Sequence, residues 1–123
     1  MKTTPTLLVV EDDREIRETL GEILGAEGYR VLLAEHGVRA LEILAAEPAV
    51  GLVLLDLTMP VMDGNDFLAE FSQHFPEKAA LPILIMTAAG RHEIPSHPLD
   101  RILRKPMDVD SLVETVQRYL AIG

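Results

Sequence analysis

The 123 residues predict a single α/β domain built on a parallel five-stranded sheet. Two observations carry this. Short apolar runs alternate with segments whose apolar residues recur at helical spacing. The connections between them are a few residues long, so strand–helix–strand units form right-handed crossovers and the strands run parallel. The length suits one domain, taken as residues 1–123, that buries a core without covalent staples.

The elements follow in order. "TLLVV" (6–10) lies between Pro5 and an acidic run and reads as a strand buried on both faces. Ile16, Leu20, Ile23 and Leu24 share one helix face, and Gly28 supplies the stop. "YRVLLA" (29–34) is the second strand. His36-Gly37 turns the chain into a second helix carrying Val38, Leu41, Leu44 and Ala45, which ends before Pro48. "VGLVLL" (50–55) is the third strand, and it runs directly into Asp56. Phe67, Leu68 and Phe71 mark a helix after Asp63-Gly64. "PILIMT" (82–87) and "DRILRK" (100–105) are strands four and five, and Val109, Leu112, Val113, Val116 and Leu120 form the final helix. Residues 88–99 break the alternation. They contain Gly90, Pro95 and Pro98, whereas a helix averages about eleven residues and excludes interior proline. The fourth helix in the order, between strands four and five, is therefore expected to be shortened or missing.

Composition removes several function classes. A net charge of −9 opposes nucleic-acid and anionic-membrane binding, which need basic patches. With no tryptophan and few aromatics, a base-stacking platform is not expected. The absence of cysteine excludes disulfides and thiolate metal sites. No apolar run approaches the ~18 residues of a membrane span or the length of a secretory signal core. A cytoplasmic protein is the default expectation.

In a parallel α/β sheet ligands sit beyond the carboxyl ends of the strands. Strand one ends in Glu11-Asp12-Asp13, strand three in Asp56, strand four in Thr87 and strand five in Lys105-Pro106. Strand two ends in Ala34-Glu35, with nothing comparable. If strands one and three are neighbours, Glu11, Asp12 and Asp56 converge, and crowded carboxylates must protonate or hold a cation. Hard oxygen donors without histidine or cysteine favour Mg²⁺. Asp56 would then be a phosphoryl-accepting nucleophile, with Thr87 and Lys105 completing the clamp. Each residue also has an ordinary use. Asp12 with Glu15 spells a capping box, Asp13 could equally be the cap, and Asp56 could cap a turn. Thr87 and Lys105 could be a strand-end threonine and a solvated lysine. His36, His74, His92 and His97 lack metal-ligand spacing and read as surface residues. Met59 and Met62 read as packing.

Together "LLVVEDD", "LLDLTMPVMDG", "IMTAAG" and "RKP" make the chain resemble, over essentially its whole length, the receiver domain of two-component response regulators. The resemblance implies a flavodoxin-like doubly wound sheet of strand order 2-1-3-4-5. It implies a signalling domain rather than an enzyme, one that accepts a phosphoryl group from a histidine kinase or histidine phosphotransfer protein with Mg²⁺ and then switches contacts with a downstream protein. By matching position, Asp56 is the phosphoacceptor, and Glu11, Asp12, Asp56 and the backbone carbonyl of Thr58 surround the metal. Thr87 is the switch hydroxyl and Lys105 the phosphate-contacting lysine. Two departures stand out. Ile102 occupies a position where the family often has an aromatic, and the family's full fourth helix does not fit residues 88–99.

Three alternatives remain open at this stage. A pseudo-receiver would keep the fold and act by constitutive docking. A small phosphatase forming an aspartyl phosphate, of haloacid-dehalogenase type, wants an aspartate where this chain has Thr58. A flavodoxin needs a small polar phosphate loop after strand one, where this chain has three acids that repel phosphate.

Overall fold

A computed structural model describes residues 4–56, 64–87, 102–104 and 108–120. Five strands, β1 (Thr6–Val10), β2 (Arg30–Ala34), β3 (Val50–Asp56), β4 (Ile83–Thr87) and β5 (Ile102–Arg104), form one parallel sheet of order β2-β1-β3-β4-β5. Among the described residues the helices are α1 (Arg14–Ala26), α2 (Gly37–Ala46), α3 (Gly64–His74) and α4 (Val109–Tyr119), with a 3₁₀ turn at Pro76–Lys78. The expected order and parallel sense are both present. The expectation of a reduced helix between strands four and five falls on residues outside the described set, as do Thr58, Met59, Met62, Lys105, His92 and His97.

Apolar runs make the strands because both sheet faces are covered. Every residue of β1 and β4 is buried, which is the pattern of strands sandwiched between helix layers. Alternation along the strands sorts side chains into two cores. Leu8, Val10, Val53, Leu55 and Ile83 pack with Ala40, Ile43 and Leu44 of α2 and with Phe67 and Phe71 of α3. Leu7, Val9, Leu52, Leu54, Leu84 and Met86 pack with Leu20 and Leu24 of α1 and with Leu112 and Val116 of α4. The rings of Phe67 and Phe71 on α3 and of Phe75 just after it stack in succession at 6.1 and 5.7 Å, four residues apart.

The strand that carries Asp56 contains one irregularity. Thr6 pairs with Val50, and Leu7 pairs with Leu52, so Gly51 is an extra residue, a β-bulge. Val50 and Leu52 accordingly lie in opposite cores although they are two residues apart. From Leu52 onward the alternation is regular up to Asp56.

Helix ends are fixed by specific groups. Asp13 caps α1, its Oδ1 accepting the Ile16 N–H at 3.1 Å. Of the two readings open in the sequence, the cap is therefore Asp13 and not Asp12. At the other end Gly28 adopts φ 100°, the Tyr29 N–H donates to Leu24 O and the Gly28 N–H donates to Gly25 O. This is a Schellman stop, and Leu24 and Tyr29 share a core as that motif requires. His36 departs from its expectation as a surface residue. It is half-buried and caps α2, its Nδ1 accepting the Arg39 N–H at 3.0 Å. Asp108 caps α4 by accepting from Ser111 N and Oγ, and those bonds hold its carboxyl below the ordinary range.

Candidate phosphoacceptor site

Asp56 is the last residue of β3, is itself buried, and the buried strand before it fixes its backbone at the edge of the sheet. β1 lies alongside, pairing Val10 with Leu55, so the residue after Val10 arrives next to Asp56. That residue is Glu11. Its N–H donates to Ala34 O of β2 at 3.0 Å, which pins the chain at the rim. Glu11 and Asp56 are 1% and 5% exposed, while Asp12 faces solvent. Oxygen atoms from Glu11, Asp12 and Asp56 all lie within 4.8 Å of one another.

The acidic loop is held by its own hydrogen bonds. The Asp13 N–H donates to Glu11 Oε2 at 3.3 Å. Arg17, one turn into α1, sends Nη1 back to the carbonyls of Glu11 at 2.9 Å and Asp12 at 3.3 Å. Sequence reasoning passed over Arg17. Helical side chains lean toward the N-terminus, so some residue in the first turns of α1 can cover the preceding loop, but the sequence does not mark which one does.

Thr87 ends β4 and is 2% exposed. Its strand neighbour Met86 pairs with Asp56, so Thr87 stands one residue further along the same rim. Thr87 itself pairs with Arg104, the residue before Lys105. The structure therefore brings together Glu11, Asp12 and Asp56 and sets Thr87 on the adjacent strand end. Thr58 and Lys105 lie outside the described residues.

Two unit charges ~4 Å apart repel by about 4 kcal/mol at an effective dielectric of 20. A divalent cation between these carboxylates would convert that repulsion into attraction. The donor set is oxygen only, hard and anionic, and it fits Mg²⁺ in its habit of using a few carboxylates beside retained waters. A groove of about 390 Å³ opens next to the loop, between α1 and α4. Its lining is mainly apolar, from Ile16, Leu20, Val109 and Leu112, with Glu15 and Asp108 also facing it, and Ile16 and Val109 are 41% and 50% exposed.

The response regulator receiver domain family matches residues 7–117. The chain belongs to that family. As a receiver domain it is 34% identical over 120 residues to sporulation initiation phosphotransferase F of Bacillus subtilis (strain 168), covering 94% of both chains. It is 38% identical over 104 residues to the transcriptional regulatory protein CpxR of Klebsiella pneumoniae subsp. pneumoniae (strain HS11286), covering 85% of this chain and 40% of that protein. The receiver domain spans between 24% and 40% of the length of the transcriptional and response regulators it matches first. Its fold superposes on the chemotaxis response regulator CheY4 of Vibrio cholerae with a TM-score of 0.81 at 29% identity, covering 96% of this chain and all of that one. Among the described residues of this receiver domain no helix is long and apolar enough to cross a membrane.

Proposed function

We propose that residues 1–123 act as one phosphoacceptor domain, taking a phosphoryl group on Asp56 from a histidine kinase or histidine phosphotransfer protein in the cytoplasm. The observation that carries this reading is the convergence of Glu11, Asp12 and Asp56 at the carboxyl edge of the sheet. Asp56 is the nucleophile. One carboxylate oxygen attacks phosphorus, the bond from phosphorus to the donor's imidazole nitrogen breaks, and that nitrogen keeps the electron pair. The rigid end of β3 holds the attacking oxygen in place, which is the positional part of the catalysis. Glu11, Asp12, Asp56 and the Thr58 carbonyl would hold Mg²⁺, whose charge offsets the carboxylates and the phosphoryl oxygens. Thr87 and Lys105 contact the new phosphoryl oxygens, which carry about −1.5 to −2 charge in place of the single carboxylate charge. The resulting change in the loops after β3 and β4 alters contacts with a downstream protein.

The apolar groove bordered by Ile16 and Val109 supports a protein as donor, since it offers a docking surface beside the acidic loop. Incubation with acetyl phosphate and Mg²⁺ followed by intact mass tests the reading. Wild type gains one phosphoryl mass, while Asp56→Asn and the metal-free protein do not. Equal labelling of wild type and Asp56→Asn would remove Asp56 from the mechanism.

A further inference from the structure

Arg17 stands out among the groups beside the site because α1 gains nothing from it electrostatically. A cation near a helix N-terminus meets the positive end of the macrodipole, which is unfavourable. Yet Arg17 turns back to that end, and one nitrogen bonds two successive carbonyls, Glu11 O at 2.9 Å and Asp12 O at 3.3 Å. These belong to two of the three residues whose carboxylates converge. Arg14, one turn earlier, behaves differently and pairs with Glu18 on the exposed side of the helix.

The surrounding bonds form a closed circuit. The Asp13 N–H holds the Glu11 carboxylate, and the Asp13 carboxylate caps the Ile16 N–H. The Arg17 N–H donates to Asp13 O at 2.8 Å, and the Arg17 guanidinium returns to Glu11 and Asp12. Breaking the last link leaves the Glu11 N–H bond to Ala34 O in place but removes the restraint on the Glu11 and Asp12 carbonyls, against which the mutual repulsion of the carboxylates then acts.

We infer that Arg17 is a positioning residue that holds the Glu11–Asp12 backbone in its metal-binding shape before Mg²⁺ arrives. The role rests on the proposed Mg²⁺ site. It has a signature that a general loss of stability lacks. Without Arg17 the metal must itself gather the ligands, so affinity falls while the fully loaded site is unchanged. Second-layer partners of metal ligands typically contribute about 10–100-fold in affinity, and a loss of about tenfold is expected for Arg17→Met.

Calorimetric titration with Mg²⁺ alone, on wild type, Arg17→Met and Arg17→Lys, tests this. Phosphorylation by acetyl phosphate across Mg²⁺ concentrations supplies a second readout. Arg17→Met weakens Mg²⁺ binding, lowers phosphorylation at limiting Mg²⁺ and recovers wild-type phosphorylation at saturating Mg²⁺. Arg17→Lys, which can still reach one carbonyl, lies between. A wild type that binds Mg²⁺ and an Arg17→Met variant that binds it equally well, whatever its melting temperature, would overturn the positioning role alone. Failure of wild type to bind Mg²⁺ would overturn the metal site and this role with it.

Discussion

Three consecutive acids after β1 do three different jobs, and their neighbours separate them. Glu11 is buried, with its N–H on Ala34 O and its carboxylate accepting from Asp13 N–H. Asp12 is exposed and turned to the cluster, and Asp13 caps the helix. Removing Asp13 and removing Asp12 are therefore expected to differ in effect. Asp13→Ala loses a cap and is expected to cost about 1 kcal/mol of stability. Asp12→Ala relieves repulsion in the metal-free protein and is expected to cost no stability there. Urea unfolding of both variants in EDTA at pH 7 makes the comparison; equal losses would mean that Asp12 shares the capping.

At the scale of elements, α1 and α4 are tied together through Tyr29, the residue after the α1 stop. Its hydroxyl donates to Leu120 O, just past α4, at 3.0 Å. Burial, with the Glu27 carboxylate adding to it, pushes the phenol above its ordinary range. The folded state thus favours the neutral phenol. Its stabilising share is fully present below the unfolded value near pH 10 and is lost as pH rises through the folded one. Tyr29→Phe is expected to forfeit the hydrogen bond, on the order of 1 kcal/mol at neutral pH, and to show a shallower alkaline decline. Urea midpoints from pH 8 to 11 for both proteins check it. An identical alkaline slope would assign the decline to other groups.

The legibility of these elements from sequence follows the kind of information each needs. Strands and helices were readable because burial on two faces and on one face leaves different periodicities, and β1 and α4 both match theirs. The convergence of Glu11, Asp12 and Asp56 was readable only on the condition that strands one and three are neighbours, which the sheet order meets. What stayed hidden depended on direction in space. Nothing in "EDD" decides which aspartate caps. An imidazole at His36 carries no mark of its Nδ1 facing a free N–H, and Arg17 reads like any other exposed-face arginine until its side chain is seen to double back.

For the molecule as a whole, folding concentrates anionic charge at one edge of a chain that already carries −9. Metal-free folding therefore opposes local repulsion, and any cation bound only by the native site stabilises it. At a free Mg²⁺ concentration of 100 times the dissociation constant the gain is about 2.7 kcal/mol. Asp56→Asn removes one of the repelling charges. It is expected to melt at a higher temperature than wild type in EDTA and to gain less from added Mg²⁺. A thermal scan with and without Mg²⁺ reads both effects, and an Mg²⁺ increment unchanged by the substitution would place the cation elsewhere.

Gly51 gives β3 one place where its length is negotiable. Because the bulge already holds a residue without a partner on β1, the chain could lose Gly51 and simply run straight, keeping Val50 opposite Thr6 and Leu52 opposite Leu7. Loss of any one of the next four residues has no such refuge: it would rotate the terminal carboxylate toward the α2–α3 side of the sheet, away from Glu11. The spacing from Leu52 to Asp56 thus fixes both things at once: its parity sets the face of the carboxylate, and its length sets the carboxylate level with Glu11.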